Sequence, residues 1–153
     1  HTGELLFFSY FTEAPYMRYG VVSRSGELTT HVDVPLPGPR LPHDMAFTEN
    51  WSILNDLPLF WNPDALAEGY YSNIFDRDLP SRFALIPRHG TTEDIRWFEA
   101  DPTFVLHWTN AYEDGDEIVV DFVSLCFEAR QGIPVFECWR AVTPLQLLML
   151  RLP

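Results

Sequence analysis

Glu27-Leu28-Thr29-Thr30-His31-Val32-Asp33-Val34 is the stretch that decides the fold class. Leu28, Thr30, Val32 and Val34 alternate with Glu27, Thr29, His31 and Asp33. A period of two fits a strand with one face buried and does not fit a helix. Just upstream, Ser23-Arg24-Ser25-Gly26 is a turn signal. Tyr16 to Ser23 is a second strand-like run, and Leu5 to Phe11 is a third, closed off by Pro15. Together the three runs predict an antiparallel meander with short connections.

Downstream, Pro35-Leu36-Pro37-Gly38-Pro39-Arg40-Leu41-Pro42 holds four prolines in eight residues. Proline lacks the ladder donor, so this is a stiff connection and neither a central strand nor a helix. It delivers the chain to His43. A second hairpin is expected from Met45 to Thr48 and Trp51 to Asp56, around Glu49-Asn50. Pro63-Asp64-Ala65-Leu66-Ala67 is the best helix candidate, with proline at its first position and Gly69 beyond its end. Arg82 to Arg88 and Asp94 to Glu99 predict a hairpin around Gly90-Thr91-Thr92. Thr103 to Trp108 and Glu117 to Val123 predict another, separated by a long acidic turn from Asn110 to Asp116. Strands do not alternate with long helices, so an all-β sandwich, barrel or propeller is expected rather than a doubly wound fold.

The tail reads differently. Residues 1–121 carry 20 acids and 7 Arg, a net −13; residues 122–153 carry 2 acids and 3 Arg, a net +1. Phe122–Glu128 and Ile133–Trp139 could flank an Arg130-Gln131-Gly132 turn, bringing Cys126 near Cys138 as two packed thiols. Leu145 to Leu152 is apolar on nearly every face, which suits a buried element.

The chain has 153 residues, 46% of them hydrophobic and 21% charged, which excludes a disordered or collagen-like polymer. The net charge is −12, and every basic residue is Arg. Such a chain repels phosphate backbones and anionic lipid heads, so nucleic acid is not an expected partner. No apolar run approaches the roughly 20 residues of a spanning helix. No secretory leader is expected either, although His1 is not an initiator methionine. Two cysteines make no disulfide framework, so a reducing, cytoplasmic setting is the expectation.

Five histidines are the candidates for chemistry. His1 is terminal; His31 lies on the polar phase of its strand and His89 at a turn, both as surface imidazoles. His43 sits at a loop–strand junction, where scaffolds present functional groups. His107 lies in the mostly apolar Phe104-Val105-Leu106-His107-Trp108, where both ring nitrogens need partners. The residues leave two readings of this pair open, hydrogen-bonded histidines in a core or metal ligands, because two lone histidines do not define a metal site. Asp114-Gly115-Asp116 lacks the ligand spacing of a calcium loop. There is no phosphate loop, paired-cysteine zinc spacing or nucleophile elbow.

Four stretches carry a resemblance. Pro42-His43-Asp44-Met45-Ala46-Phe47-Thr48-Glu49-Asn50 resembles the His-Asp-Phe-Ala-x-Thr-x-Asn strand of the carotenoid oxygenases, or carotenoid cleavage dioxygenases. Ile95 to Glu99, followed by Phe104 to Glu113, resembles the family's Phe-x-x-His-x-x-Asn-Ala-x-Glu stretch. Arg82-Phe83-Ala84-Leu85-Ile86-Pro87-Arg88 is similar to its Arg-Phe-Gly-x-x-Pro-Arg segment, and Thr2-Gly3-Glu4-Leu5 to the start of its first core strand. Order and gaps agree from about residue 2 to residue 121, and the flavour is bacterial.

The resemblance implies a fragment of a seven-bladed β-propeller, built of antiparallel hairpins with Pro-rich connections. At about 40–50 residues per blade, the whole needs roughly 300 residues or more. Residues 1–121 would be part of that domain, and 122–153 a divergent tail that does not match it. The family holds ferrous iron, Fe(2+), with four histidines; His43 and His107 match two of them, and His1 does not occupy the upstream position. The implied activity is that of an iron-dependent oxidoreductase, a dioxygenase that cleaves a carbon–carbon double bond of a carotenoid, apocarotenoid or stilbene-like substrate to two carbonyl products. The expected partners are that apolar substrate and dioxygen, with peripheral membrane contact in the full-length protein. A reading from another class is a catalytically inactive relative that binds an apolar ligand or a partner.

Overall fold

The computed structural model describes residues 2–125 and 146–151. Its elements are strands with one short helix, arranged as three larger sheets and a small hairpin. The first sheet is the meander: β1 (Leu5–Tyr10), β2 (Tyr16–Val22) and β3 (Leu28–Pro35), antiparallel and adjacent in that order. Thr30, Val32 and Val34 are buried while His31 and Asp33 face out, as the alternation requires. Leu28 departs from the pattern and is 53% exposed. The register slips between Val21 and Val22, so Thr29 is an extra residue in β3, and one extra residue turns the strand's end over. Gly20 allows β1 and β2 to pack closely, because a Cβ there would lie 2.5 Å from the Phe7 ring.

The second sheet has the order β4 (Ala46–Phe47), β5 (Trp51–Asp56), β8 (Ser81–Pro87), β9 (Arg96–Ala100). Between β5 and β8 the chain makes an excursion: β6 (Leu59–Trp61), helix α1 (Pro63–Ala67) and β7 (Asn73–Phe75), with β6 and β7 paired. The helix is the one expected. Asn62 caps it, accepting from the Asp64 and Ala65 amides, and Gly69 stops it at φ +87°. The small β6–β7 hairpin had no signal of its own, since three-residue strands are too short to show a period. The β8–β9 hairpin is also as expected, except that Thr92–Asp94 forms a 3₁₀ turn. Thr91 and Asp94 close a capping box there, and the strand resumes only at Arg96.

The third sheet is β10 (Phe104–Asp114), β11 (Glu117–Leu125) and β12 (Gln146–Arg151), antiparallel in order. The long acidic turn expected from Asn110 to Asp116 is not a turn. The strand runs on to Asp114, and the reversal is two residues long, Gly115-Asp116, with Gly115 at φ +62°. Ala111, Tyr112 and Glu113 pair with Val120, Val119 and Ile118, so an apolar partner strand overrides the polar local composition. The expected hairpin that brings Cys126 near Cys138 lies outside the described residues.

The sheets stack. Ile53, Phe83 and Leu85 of the second sheet enter one core with Val105, Ile118 and Val120 of the third. Leu54, Ala84 and Ile86, one residue along, enter the other core with Tyr19, Val32 and Val34 of the first. The middle sheet is therefore buried on both faces, which is why Phe83 to Ile86 reads as an unbroken apolar run.

Candidate metal centre

His43 lies at the end of the Pro-rich connector, whose course is fixed by a buried carboxylate. Asp56, with a side chain 4% exposed, accepts from Arg40 Nε at 2.6 Å and from Arg82 Nε at 2.8 Å. The Arg40 guanidinium lies over Phe60 and that of Arg82 over Trp97. Removing one partner from such a buried ion group costs about 3–5 kcal/mol, so the connector's place beside β5 is well determined. Leu41 N donates to Leu59 O at 3.3 Å, and Pro42 is buried. Three residues after Arg40 the chain presents His43, exposed, at the entrance to β4.

His107 comes from β10, and the strand is distorted around it. Register shifts occur between Val105 and His107 and again between Trp108 and Asn110. Leu106 and Thr109 are thus extra residues, one on each side of His107-Trp108. Val105, Trp108 and Ala111 all pack on the same core, at intervals of three where a regular strand would repeat every two. Bulges re-aim side chains, and here they leave His107 64% exposed while Trp108 stays on the core.

β4 and β10 are edge strands of different sheets and share no ladder pairing among the described residues. Side-chain clamps join them instead. At one end, Asp44 Oδ2 accepts from Trp108 N at 3.2 Å. At the other, Glu113 accepts from Thr48 Oγ1 at 2.6 Å, Asn50 N at 2.9 Å and Asn50 Nδ2 at 3.0 Å. Partial desolvation pushes the Glu113 carboxyl up, but these hydrogen bonds and the charge of Arg88 outweigh it and hold it below its ordinary value of 4.5.

Held this way, the rings of His43 and His107 lie with centroids 5.0 Å apart and planes at 86°. The other histidines are elsewhere. His31 is exposed, and His89 has Glu4 Oε1 and Thr30 Oγ1 as partners, each at 3.1 Å. An imidazole nitrogen lies about 2.1 Å from a bound ion, which puts the ring centroid roughly 3.2 Å from it; two rings at about 90–110° then have centroids roughly 4.5–5.2 Å apart. The observed separation falls in that range, and imidazole suits a first-row divalent ion. Among the described residues no three His, Cys, Asp or Glu side chains are grouped to hold a metal, so the pair is what this stretch offers. The sequence pointed to the two histidines but not to Asp44, Thr48 or Glu113 as the parts that set them side by side. All three lie in the quoted stretches, but their pairing is a contact between sheets.

Comparison with known proteins agrees with this architecture. The family model described as retinal pigment epithelial membrane protein, the carotenoid oxygenase family, matches residues 1–140, and the chain belongs to that family. It is similar to a carotenoid 9,10(9',10')-cleavage dioxygenase of Crocus sativus, 38% identical over 123 residues, or 78% of this chain and 22% of the relative. Among solved structures it resembles a Pseudomonas brassicacearum lignostilbene dioxygenase, at TM-score 0.67 and 30% identity, covering 80% of this chain and 26% of that one. It also resembles cobalt-substituted Synechocystis ACO, at TM-score 0.70 and 22% identity, covering 94% and 31%. These likenesses show the propeller fold for the all-strand arrangement described above. The chain thus spans about a fifth of the length of the curated relative.

Proposed function

We propose that these residues form the metal-binding middle of a non-haem iron dioxygenase, with His43 and His107 as two of the four ligands of Fe(2+). The reaction would be R–CH=CH–R′ + O2 → R–CHO + R′–CHO, on a carotenoid, apocarotenoid or stilbene-like substrate. The 5.0 Å approach of the two imidazoles carries this reading, because nothing in the strand ladders requires it. When bound, ferrous iron supplies the activation of dioxygen. The chain's own part is positional. The Asp56 ion group fixes the connector, the bulges aim His107, and the Asp44 and Glu113 clamps hold the two strands together. The names of the relatives support carbon–carbon cleavage as the class of reaction.

The test is made on the full-length protein with ferrous iron, oxygen and either an apocarotenoid or a stilbene, following aldehyde products by chromatography. Wild type should turn over, and His43→Ala and His107→Ala should each lose activity by at least 100-fold together with bound iron. Full activity in both variants would refute the ligand roles. An inactive, iron-free wild type would favour the alternative of a non-catalytic module for an apolar ligand or partner.

The membrane contact has a candidate location. Leu66, Tyr70, Tyr71 and Ile74 are all exposed on and after α1, with Tyr71 at 78%. Aromatic side chains with one apolar and one polar end suit a lipid–water boundary.

A further inference from the structure

Asp56 is one carboxylate shared by two guanidiniums. Arg40 Nε donates to its Oδ1 at 2.6 Å, and Arg82 donates to its Oδ2 from Nε at 2.8 Å and also from Nη2. The side chains of Asp56 and Arg40 are 4% and 10% exposed. One negative and two positive charges therefore meet largely out of water, with one positive charge in excess. The nearby acids do not cancel it. Glu99 lies opposite Arg82 in the β8–β9 ladder but is exposed, and the two make no ion pair among the described residues. Asp76, beside Pro58, turns its carboxylate to the Asp78 amide.

The donors tell the same story. A guanidinium has five N–H groups. Arg40 places Nε on Asp56 and Nη1 on the Pro39 carbonyl at 3.2 Å, and Arg82 places Nε and Nη2 on Asp56. Arg40 Nη2 and Arg82 Nη1 have no hydrogen-bond partner among the described residues. The flat faces are taken by rings, with Arg40 4.3 Å from the centre of Phe60 and Arg82 4.6 Å from that of Trp97. What is left for a ligand is the N–H edge of each plane. Both arginines and Asp56 line a cavity of about 80 Å³, whose other walls are three prolines and two leucines.

We propose that this cavity is a binding site for a small monovalent anion, with chloride as its ordinary occupant. One negative charge balances the group, and a buried charge is tolerated when it is paired and hydrogen-bonded. At roughly 30 Å³ for a water, the space holds one small ion and a water and no larger solute. A guanidinium is weakly hydrated and gives its donors to an anion more readily than an ammonium does. The net charge of −12 does not prevent this, because charges beyond about 8 Å are screened at physiological salt while the two guanidiniums adjoin the cavity. The bound ion would complete the group that fixes the connector leading to His43. Binding there requires neither metal nor substrate, so it stands apart from the dioxygenase reading.

Bromide is the probe, because it substitutes for chloride and scatters anomalously. Crystals of the full-length protein are soaked in sodium bromide, and one anomalous peak is expected in the cavity within hydrogen-bond reach of Arg40 and Arg82. In solution, the thermal midpoint should be about 1–2 °C higher in about 300 mM sodium chloride than in sodium gluconate of the same strength, gluconate being too large to enter. Arg82→Gln, which leaves Arg40 and Asp56 as a balanced pair, should lose both the peak and the difference between the salts. Wild-type crystals without the peak overturn the proposal whether or not the variant folds. So do equal wild-type midpoints in the two salts, since any peak then reports binding at crystal concentration only. An Arg82→Gln protein that keeps the peak and the salt difference overturns it as well.

Discussion

Glu113 shows what one side chain can do between sheets. Three donor atoms of Thr48 and Asn50 close three hydrogen bonds onto the two carboxylate oxygens of Glu113, and Arg88 donates to the Thr48 carbonyl beside them. The bound form is the carboxylate, so its pKa is lower folded than unfolded. The stability this contributes is present above the unfolded value of about 4.5 and is lost as pH falls through the folded value. Glu113→Gln should cost about 1 kcal/mol or less at pH 7, since the residue is exposed and solvent screens the charge. Denaturant titrations of both proteins at pH 7 and pH 3.5 check this. The gap between them should shrink at the lower pH, and a gap that stays constant would show that the charge is not what holds the clamp. The histidine pair could be picked out from residue type and neighbours, whereas this carboxylate could not. Its meaning depends on Thr48, which the chain brings alongside from 65 residues away.

Among the elements, the excursion from β6 to β7 stands apart, because it leaves Leu66, Tyr70, Tyr71 and Ile74 in water over a short stretch. The protein's net charge of −12 makes electrostatic attraction to acidic lipid an implausible source of binding. Insertion of Tyr70 and Tyr71 predicts binding to neutral phosphatidylcholine vesicles with little dependence on salt. Tyr71→Glu should abolish co-flotation of the full-length protein with such vesicles, while leaving its thermal midpoint within a few degrees, since the ring is mostly in solvent. Binding that survives this change, or that disappears with added salt, would place the contact elsewhere. Legibility also varied by element. β3 and α1 were plain because each carries a local signature: a period of two in one, proline and cap residues in the other. β10 beyond Trp108 was misread because Asn110, Glu113 and Asp114 are turn formers taken alone, and only the apolar face of β11 makes them strand.

For the molecule as a whole, the stack of three sheets explains how the chain can look like ordinary all-β sequence and still be specific. Alternation sets each sheet, and the continuous run at Phe83–Ile86 marks the one in the middle. Which sheets adjoin was not written in any local pattern, because it is set by side-chain contacts between sheets far apart in sequence. Activity belongs to this scale as well. The 153-residue chain alone should retain iron weakly and show no sustained turnover, because two imidazoles hold a divalent ion poorly and unpaired strand edges invite association. Incubation with ferrous iron, oxygen and an apocarotenoid, followed by chromatography for aldehydes, checks this. Turnover that vanishes in His107→Ala would show that the stretch is a sufficient catalyst and that the count of four ligands is wrong for it.

The paired bulges in β10 also restrict how this strand can be inherited. Loss of the codon for Leu106 or for Thr109 would remove that bulge and leave the other pairings of β10 with β11 in place, because Val105 would then be followed directly by His107, or Trp108 by Asn110, in regular alternation. Loss of both would give an unbroken ladder from Val105 to Asp114 with the same residues on the core, and what would go is the local bend on either side of His107. Along this segment, then, the two unpaired residues are the places where length can change without disturbing the ladder, and what they supply is the aim of the imidazole between them.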